Sequence, residues 1–463
     1  MTDMPFSLNF LKKHPGSAVK KYSFRGGIHP DEHKEKTEDL PISDKVMDPD
    51  GPMVFPMQQH VGAPCSPLVK KGDKVLRDQI IGDTEGLGAP IYSSVSGTVT
   101  AVKPMPTPSG RKVMSVVVEN DHAYTEIERP YPPVSYKELT KGQILDRIRY
   151  AGIVGMGGAG FPTHVKLKPP KDISIDYILI NGSECEPYLT SDYRVMIEDP
   201  WRVVNGLRIA LSLFDSAQGL LCIEDNKMKA AASLMPYIEG DDRIRILILK
   251  TKFPQGGEKQ LIEAVTGRQV PSGGLPADVG CIVLNIDTSV AISRAVTQGR
   301  PLERRIVTLA GDCVRNPGNY RVRIGTPIRE LVDKSGGLTK EPAMLICGGP
   351  MMGMTMDSLD VPVIKTTSCI LIQSRRNTLM PKESACIRCG KCVEVCPMFL
   401  QPYKLNELVE RRDFEEFIRL HGTDCIECGC CSYICPAKRH LTQSCRVGKQ
   451  KAAELRRKGG TRQ

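Results

Sequence analysis

The spacing of apolar residues divides the chain into regions with different predicted structures. Up to about residue 135 it predicts short strands and turns, because Gly stands between β-forming residues in Val69–Val75 and Ser94–Thr100. From Tyr136 onward, strand-length apolar runs alternate with stretches of helical spacing. That alternation predicts a parallel, doubly wound sheet. The predicted strands are Tyr177–Ile180, Leu220–Ile223, Ile244–Leu249 and Cys281–Ile286.

Two later segments have patterns of their own. Residues 304–345 are predicted to form a small β-rich insert, with a strand at Arg305–Leu309 and a short helix at Ile328–Ser335. Tyr403–Leu420 is helical in pattern, with a break near Arg412. These helices lie between two cysteine-rich runs and are expected to cover them.

Composition and charge narrow the class of protein. The chain has 463 residues and a formal net charge of +10, which predicts about three or four domains. No apolar signal core stands at the N-terminus, and the apolar runs are far shorter than the ~20 residues of a membrane span. We therefore expect a cytoplasmic protein that is soluble or peripheral on a membrane. No nucleic-acid motif accompanies the positive charge.

The C-terminal segment, residues 446–463, carries seven Lys or Arg against one Glu. The favoured interpretation is a solvated, partly disordered end. Contact with a membrane or with a partner subunit is the alternative.

Two cysteine-rich runs carry the most specific signal. Residues 386–397 and 425–436 both follow the pattern C-x2-C-x2-C-x3-C-P. In two-cluster ferredoxins, each run gives three thiolates to one 4Fe–4S cube and the fourth to the other cube. Two such runs in tandem are poorly explained by chance or by a zinc knuckle. We therefore predict two 4Fe–4S clusters with interleaved ligands. One set is Cys386, Cys389, Cys392 and Cys435, and the other is Cys425, Cys428, Cys431 and Cys396.

Nine of the 17 cysteines lie outside these two sets. Their scatter indicates a reducing compartment rather than a disulfide framework. Cys430 is interpreted as a bystander, because the C-x2-C-x2-C spacing selects Cys431. The others, which include Cys445, are interpreted as small buried apolar residues.

A glycine-rich segment, Gly155–Lys166, is the second strong signal. Its glycines are Gly155, Gly157, Gly158 and Gly160. Closely spaced Gly lets backbone N–H groups approach a phosphate or an isoalloxazine edge, and Lys166 adds a positive charge. The spacing satisfies the dinucleotide fingerprint, but the expected acidic residue arrives inside a different motif. No standard Rossmann NAD site is therefore predicted.

That next motif, Asn181–Tyr188, directly follows a predicted strand and contains Glu184 and Glu186. Open α/β folds bind ligands at the carboxyl ends of their strands. A solvated polar loop would explain this motif alone. Together with the glycine-rich segment, it predicts a ligand site.

These motifs resemble known families. GMGGAGFPTHVKL, NGSECEPY, Phe253–Leu261 and Asn285–Thr288 are similar to the flavin and NADH site of the NADH-binding flavoprotein subunit of respiratory complex I. Residues 1–135 resemble the barrel-sandwich modules of lipoyl and biotinyl carriers but lack their modifiable Lys, so we expect a docking or packing module. Residues 304–345 resemble soluble-ligand-binding (SLBB) β-grasp modules. With Gly26–Pro30, residues 20 to 445 resemble the peripheral C subunits of Rnf-type ion-translocating ferredoxin:NAD+ oxidoreductases.

The resemblance implies roles for individual residues. Phe161 would stack near the nicotinamide nucleotide, while Glu184 and Glu186 would act beside flavin and nicotinamide as catalytic residues. Glu258 would contact the nucleotide. The residues implied to line FMN are Gly155, Gly157, Gly158, Gly160, Lys166, Asn181 and Asn285. The positions that depart from the complex I pattern are Ser183, Gly257 and Leu284.

The expected architecture is a multidomain α/β protein. Its parts are a barrel-sandwich module (1–135), a Rossmann-like α/β FMN/NADH domain (136–300), a β-grasp SLBB-like module with connector (301–375), an α-helical ferredoxin-like domain with two 4Fe–4S clusters (376–446) and a basic tail (447–463).

The resemblance also implies an activity. As a peripheral subunit on the cytoplasmic side of the membrane, the chain would move electrons between NAD(H), FMN and two 4Fe–4S clusters, because a flavin joins two-electron to one-electron carriers. Its partners would be other membrane subunits, which translocate Na+ or H+, and a ferredoxin or ferredoxin-like subunit. Two alternatives are a soluble flavin and iron–sulfur cobalamin reductase and a non-enzymatic electron-relay subunit. The order of the two cubes along the path stays open.

Overall fold

A computed structural model describes residues 20–378 and 382–460. Its strands are β1 (Lys21–Tyr22), β2 (Met53–Pro56), β3 (Ser66–Pro67), β4 (Lys74–Val75), β5 (Ile80–Asp83), β6 (Ile91–Tyr92), β7 (Gly97–Pro106), β8 (Lys112–Asn120), β9 (Tyr177–Gly182), β10 (Gln218–Glu224), β11 (Ile244–Leu249), β12 (Cys281–Asn285), β13 (Arg304–Ala310), β14 (Gly318–Arg323), β15 (Met344–Cys347), β16 (Met354–Thr355) and β17 (Cys369–Gln373).

The α-helices lie mainly after the N-terminal strands. They are α1 (Lys141–Tyr150), α2 (Thr163–Lys166), α3 (Ser191–Glu198), α4 (Pro200–Leu211), α5 (Met228–Ile238), α6 (Glu258–Thr266), α7 (Ile286–Gln298), α8 (Ile328–Lys334), α9 (Arg375–Thr378), α10 (Lys391–Glu394), α11 (Pro402–Glu410), α12 (Phe414–Arg419), α13 (Cys430–Ile434) and α14 (Leu441–Gly460). Short 3-10 helices are Tyr136–Glu138, Pro276–Val279 and Gly422–Asp424. Among the described helices, none has the length and apolar character to cross a membrane.

The N-terminal module consists of two antiparallel sheets with the strand orders β2-β8-β7-β4 and β3-β5-β6. They enclose a core that includes Phe55, Ile81 and Val116. Gly97 begins β7, and a Cβ there would lie 1.9 Å from the Glu119 carbonyl oxygen. Glycine at this position therefore lets the two long strands start in register.

The central α/β sheet is parallel and has the order β1-β11-β10-β9-β12. All four strands predicted for it are present. Helices cover both faces; Ile180 and Leu207 belong to the core on one face, and Leu179 and Leu261 to the core on the other. After β11 the chain returns to the far side of β9 to form β12. The strand order therefore reverses between β9 and β12.

Residues 1–135 are predicted to form the N-terminal module, but β1 is an edge strand of the α/β sheet. Lys21 and Tyr22 pair with Ile248 and Leu249 of β11. The Gly27 N–H then donates to the carbonyl of residue 395 at 2.9 Å. A two-residue edge strand pairs through its backbone, so its partner leaves no pattern in the sequence.

The third sheet has the order β14-β13-β17-β15-β16 and packs on α8. Its core includes Val307, Leu331 and Ile370. The strand and the helix predicted here are both confirmed. The loop after β15, residues 348–353, extends toward the α/β domain.

The C-terminal region is helical, and the break predicted near Arg412 separates α11 from α12. The expectation of a partly disordered tail is wrong as far as residue 460, because α14 continues the chain as a helix. Cys445 and Ala452 on this helix are buried, and a Cβ at Gly448 would lie 2.5 Å from the Phe417 ring. Small residues therefore let α14 pack closely on α12.

Candidate functional site

The glycine loop, residues 155–162, meets the Asn181 motif where the strand order of the α/β sheet reverses. Asn181 on β9 and Asn285 at the end of β12 are paired neighbours. Ligands of open α/β sheets bind at such switch points, outside the carboxyl ends of the strands. The Met156 N–H donates to Thr288 Oγ1 at 3.0 Å, which fixes the loop against the start of α7.

The tip of the glycine loop presents bare backbone. Gly157 and Gly158 are exposed, and a Cβ at Gly158 would meet nothing within 4 Å. At Gly157, a Cβ would lie 2.9 Å from the Asn285 side-chain nitrogen. Gly160 has a φ of +75°, and a Cβ there would approach Thr366 Cγ2 to 2.9 Å. Backbone N–H groups at this tip are accessible to a phosphate or a flavin edge.

Gly155 and Phe161 close the base of this loop. The Gly155 N–H donates to the Phe161 carbonyl at 2.9 Å, and Val154 and Pro162 form an isolated β-bridge. Phe161 is half-buried, so part of its ring is accessible beside the loop. Stacking of Phe161 on a nucleotide stays a prediction.

Asn285 connects the loop to a carboxyl group that the sequence does not single out. Its Oδ1 caps α7 by accepting from the Asp287 N–H at 2.9 Å, and its Nδ2 donates to Asp192 Oδ2 at 2.6 Å. Burial, followed by the nearby Glu184, raises the pKa of Asp192 to about 8. Asp192 is therefore able to hold a proton close to the glycine loop. In the sequence, Asp192 is a single acidic residue near a helix start, and nothing there indicates that it lies close to the glycine loop.

Lys166 and Glu258, predicted for FMN and the nucleotide, form an ion pair. Lys166 Nζ lies 2.8 Å from Glu258 Oε1 and 3.0 Å from the Val283 carbonyl oxygen. The pair brings α2 and the first turn of α6 together at the same edge of the sheet. Both side chains remain partly exposed.

Glu184 occupies the N-terminus of α3. Its carboxylate accepts from the Asp192 N–H at 2.7 Å, the Tyr193 N–H at 3.1 Å and Ser191 Oγ at 3.3 Å. Carboxylates stabilise helix N-termini in this position. Its own backbone has a φ of +44°, and its carbonyl accepts from Lys34 Nζ at 2.5 Å. The structure thus assigns Glu184 a helix-capping contact, and its role toward the nucleotide stays a prediction.

Glu186 joins the α/β domain to the loop after β15. Its two carboxylate oxygens accept from the Met352 N–H at 2.8 Å and the Met351 N–H at 3.1 Å. Burial raises the pKa of Glu186 to about 7. The sequence does not reveal this contact, because residues 351 and 352 lie in another module.

Two buried polar side chains near this site lack a hydrogen-bond partner in the described part of the chain. They are Ser183, through its hydroxyl, and Gln255, through both amide atoms, and both are 0% exposed. Because neither side chain borders open space, neither can contact a bound group without movement of its surroundings. The exposed backbone of Gly157 and Gly158 and the partly exposed Lys166 fit a bound FMN. Its lining stays a prediction and consists of Gly155, Gly157, Gly158, Gly160, Lys166, Asn181 and Asn285.

One predicted set of cluster cysteines lines an open cavity, here called the first cluster site. The cavity has a volume of about 550 Å³. Cys386 and Cys389 are exposed, and Ile387 between them is 67% exposed. The full set consists of Cys386, Cys389, Cys392 and Cys435.

The other predicted set lines a smaller, enclosed cavity, the second cluster site. It consists of Cys396, Cys425, Cys428 and Cys431. Leu400 and Leu405 cover it from the helical side. In each set the fourth cysteine comes from the other run, which is the interleaving that the spacing predicts.

The two sites are built on the same backbone turn. Gly390 and Gly429 have φ values of +78° and +83° and precede α10 and α13. Within residues 20–378 and 382–460, no three His, Cys, Asp or Glu side chains are placed to hold a single ion. The four cysteines of each set line a common cavity instead, and four cysteines to one cavity is the ligand number of a 4Fe–4S cube.

The second cluster site contains two thiols beyond its predicted ligands. Cys430 and Cys445 also line it, and each is 1% exposed. A hydrogen bond from Cys445 lowers the pKa of the Cys425 thiol to about 7, and one from Cys430 lowers the pKa of the Cys428 thiol. Both cysteines thus contact predicted ligands, which the spacing does not indicate.

The second cluster site, and not the first, abuts the α/β domain. Cys430 Sγ lies 3.8 Å from the Phe253 carbonyl oxygen. A few residues further on, the Gly256 carbonyl accepts from Asn181 Nδ2 at 2.8 Å. A single loop therefore connects the second cluster site to the site at the end of β9.

Comparisons with known proteins agree with this arrangement. Four family models match the chain: an RnfC barrel sandwich hybrid domain (22–123), a Nuo51 FMN-binding domain (148–294), an SLBB domain (306–355) and a 4Fe-4S dicluster domain (379–436). The C subunit of the Na(+)-translocating ferredoxin:NAD(+) oxidoreductase complex of Acetobacterium woodii is 45% identical over 442 residues, which cover 95% of this chain and 99% of the relative. The chain belongs to the C-subunit family of these ion-translocating complexes. The expected family and fold class are confirmed.

Other members of the C-subunit family are similar to nearly the same extent. The C subunit of the proton-translocating ferredoxin:NAD(+) oxidoreductase complex of Clostridium ljungdahlii is 44% identical, over 85% of this chain and 86% of the relative. The C subunit of the ion-translocating oxidoreductase complex of Cronobacter sakazakii is 39% identical, over 83% of this chain and 50% of the relative. Among solved structures, an NAD+-reducing NiFe hydrogenase is 20% identical, with a TM-score of 0.47 over 60% of this chain and 54% of that one.

Proposed function

We propose that this chain is the NAD(H)-reacting peripheral subunit of a membrane-bound, ion-translocating ferredoxin:NAD+ oxidoreductase. It exchanges electrons between NAD(H) and two 4Fe–4S clusters by means of FMN, and other subunits couple that flow to translocation of Na+ or H+. The FMN-binding and dicluster domains, and its membership of the C-subunit family, support this function over a cobalamin reductase or a non-enzymatic relay.

The observation that carries the proposal is the contact between the second cluster site and the α/β domain. The loop Phe253–Gly257 touches Cys430 at one end and Asn181 at the other. When bound, FMN supplies the conversion between a hydride and single electrons. A cluster site joined by one loop to the flavin site is what such a conversion requires.

The same contacts support an order for the two clusters. The second cluster site is enclosed between the helical region and the α/β domain. The first cluster site opens to solvent, with Cys386 and Cys389 exposed. The cluster held by Cys396, Cys425, Cys428 and Cys431 is therefore the one nearer the flavin, and the other faces the partner redox protein.

The residues around the glycine loop have distinct tasks in this proposal. Exposed backbone at Gly157 and Gly158 contacts the cofactor, and Asn285 holds the loop. Lys166 places positive charge at the phosphate or isoalloxazine edge, and Asp192 holds a proton below the loop. Phe161 and Glu258 contact the nucleotide. Glu184 and Glu186 face flavin and nicotinamide, and their helix-capping and loop contacts keep them oriented.

We further propose a position on the cytoplasmic face of the membrane, bound to membrane-embedded subunits. Family membership supports it, together with the lack of a membrane-crossing helix among residues 20–378 and 382–460. Co-purification of the chain with membranes and other redox subunits tests this, and recovery of the chain in the soluble fraction of the lysate, without those subunits, contradicts it.

The activity is tested by anaerobic reconstitution with iron, sulfide and FMN. The expected protein holds one FMN and eight iron atoms, and NADH bleaches its flavin absorbance. Reduced clusters then pass electrons to a one-electron dye acceptor. A flavin that stays oxidised with excess NADH supports an electron-relay subunit instead.

A further inference from the structure

The N-terminal module is in direct contact with the glycine loop. The Val61 N–H donates to the Gly160 carbonyl at 3.2 Å. A Cβ at Gly160 would lie 3.2 Å from His60 Cα and from the Gln59 carbonyl oxygen. The segment 59–61 is therefore packed against the loop that the FMN site uses.

A buried lysine braces this contact from below. Lys365 Nζ donates to the Pro90 carbonyl at 2.6 Å and to the Gly152 carbonyl at 2.7 Å. The backbone N–H of Lys365 donates to Gln59 Oε1 at 3.0 Å. The residue is 1% exposed. Lys365, in the segment before β17, thus bonds both the N-terminal module and the residues just before the glycine loop, which fixes these parts relative to one another.

A second segment of the module lies beside the first. The Ala63 N–H donates to the Leu87 carbonyl at 2.8 Å, and the Ala89 N–H donates to His60 Nε2 at 3.2 Å. Gly62 has a φ of +114°, and a Cβ there would lie 2.0 Å from the Leu87 carbonyl oxygen. Segments 60–63 and 85–89 thus form one edge, here called the module edge.

The module edge carries two exposed apolar side chains. Val61 is 41% exposed and Leu87 is 40% exposed. They belong to the edge that bonds Gly160, next to the exposed backbone of Gly157 and Gly158. Nucleotide pockets combine these two features, since backbone N–H groups bind phosphates and apolar side chains pack against rings.

We propose that the N-terminal module forms one wall of the nucleotide site and that Val61 and Leu87 pack against a ring of bound NAD(H). The inference rests on the proposed function, and it makes both residues determinants of affinity for the nucleotide. It also gives the module a binding task in addition to the docking or packing expected from its sequence.

The test uses the full chain reconstituted with FMN and both clusters. The variants are Val61→Asp and Leu87→Asp, and the matched control is Leu76→Asp, because Leu76 is 38% exposed on the same module but lies beside the 77–79 turn. NADH titration with a dye acceptor gives KM and kcat, and bound FMN is counted per chain. A charge placed against a ring should raise KM for NADH about tenfold, with kcat, FMN content and the control unchanged.

Several results would overturn the proposal. One is a KM that stays at the wild-type value in both variants, and another is an equal rise of KM in Leu76→Asp. A third is loss of FMN together with loss of affinity for NADH, which would mean that the module edge only supports the glycine loop. If an Asp variant does not fold, Val61→Ala and Leu87→Ala replace it, with a smaller rise in KM expected. Failure of NADH to bleach wild-type flavin would sink the proposed function itself, whereas normal bleaching with unchanged KM sinks only this inference.

Discussion

The two cluster sites share one sequence pattern and one backbone turn, yet their surroundings differ. The first cluster site is an open cavity of about 550 Å³ with two exposed cysteines. The second cluster site is enclosed, packs on the α/β domain and contains the additional thiols of Cys430 and Cys445. Hydrogen bonds and solvent exposure set the potential of an iron–sulfur cluster. Ligand spacing therefore determines which thiols gather, while tertiary packing determines how the two clusters differ.

Loss of one crossing ligand should have the largest effect. Cys435→Ala should remove the cluster of the first site and Cys396→Ala the cluster of the second, because each fourth ligand crosses between runs. About half of the iron and sulfide should be lost in each variant, while FMN and its bleaching by NADH remain. Cys389→Ala and Cys428→Ala are the matched controls.

Metal counts and electron paramagnetic resonance spectra check this. The Cys435→Ala spectrum should equal that of Cys389→Ala, and the Cys396→Ala spectrum should equal that of Cys428→Ala. If Cys435→Ala instead matches Cys428→Ala, each run holds its own cluster and the interleaving is wrong.

The next largest effect should be a difference in the rates at which a chelator removes iron from the two cluster sites. Cys386 and Cys389 are exposed, whereas Cys428 and Cys431 are buried. We expect an iron chelator under mild oxidation to remove the first cluster several times faster than the second. Time-resolved loss of each spectral signal measures this, and equal rates would contradict the difference in exposure.

The pH dependence of stability should report the Glu186 contact, which holds the Met351 loop over the second site. A Cβ at Gly429 would lie 3.0 Å from the Met351 carbonyl oxygen. Burial raises the pKa of Glu186 from 4.5 to about 7, against the lowering effects of the Met351 and Met352 N–H groups and of the Lys34 charge. The folded protein thus binds this proton more tightly than the unfolded chain, so stability should fall as pH rises from about 4.5 to about 7.

The expected loss is on the order of 1–3 kcal/mol in the free energy of unfolding. Glu186→Gln carries no titrating proton and should lack that part of the pH dependence. Denaturant unfolding of both proteins at pH 5 and pH 8 compares them. If the free energy of unfolding changes equally between pH 5 and pH 8 in the two proteins, residue 186 is not responsible for the pH dependence.

The additional thiols should produce the smallest effect. A hydrogen bond to a ligand sulfur favours the reduced cluster, so Cys430→Ala and Cys445→Ala should each lower the potential of the second cluster. The net worth of one such bond corresponds to on the order of 20–60 mV for one electron. Lys391→Ala, at the equivalent position of the first run, is the control.

Redox titration followed by electron paramagnetic resonance measures both potentials. The second cluster alone should shift in the Cys430 and Cys445 variants, and a serine at either position should restore most of the shift. A shift of the first cluster instead would place these thiols at the wrong site.

Much of this architecture follows from local patterns. Apolar runs with helical spacing between them predict β9 to β12, and the C-x2-C-x2-C-x3-C-P runs predict the two interleaved sets that the structure brings together. Glycine spacing places the loop at residues 155–162. These features are predictable because the residues responsible lie within a few positions of one another.

The remaining features depend on contacts between distant segments. Glu186 bonds Met351, Asn285 bonds Asp192, and Val61 bonds Gly160. These hydrogen bonds join residues far apart in the chain, so they produce no periodic pattern in the sequence. The basic residues of α14 illustrate the same limit. Lys449 Nζ donates to the Cys425 carbonyl at 2.8 Å, so a segment with the composition of a solvated tail is part of a packed helix.

The short strand β1 has a consequence for how the chain is made. Its partner β11 and the carbonyl that Gly27 bonds in the cluster region are both translated long after it. β1 and Gly27 therefore have no pairing partners until those later segments have been translated. The complete set of these contacts can therefore form only after the chain has been translated past residue 395.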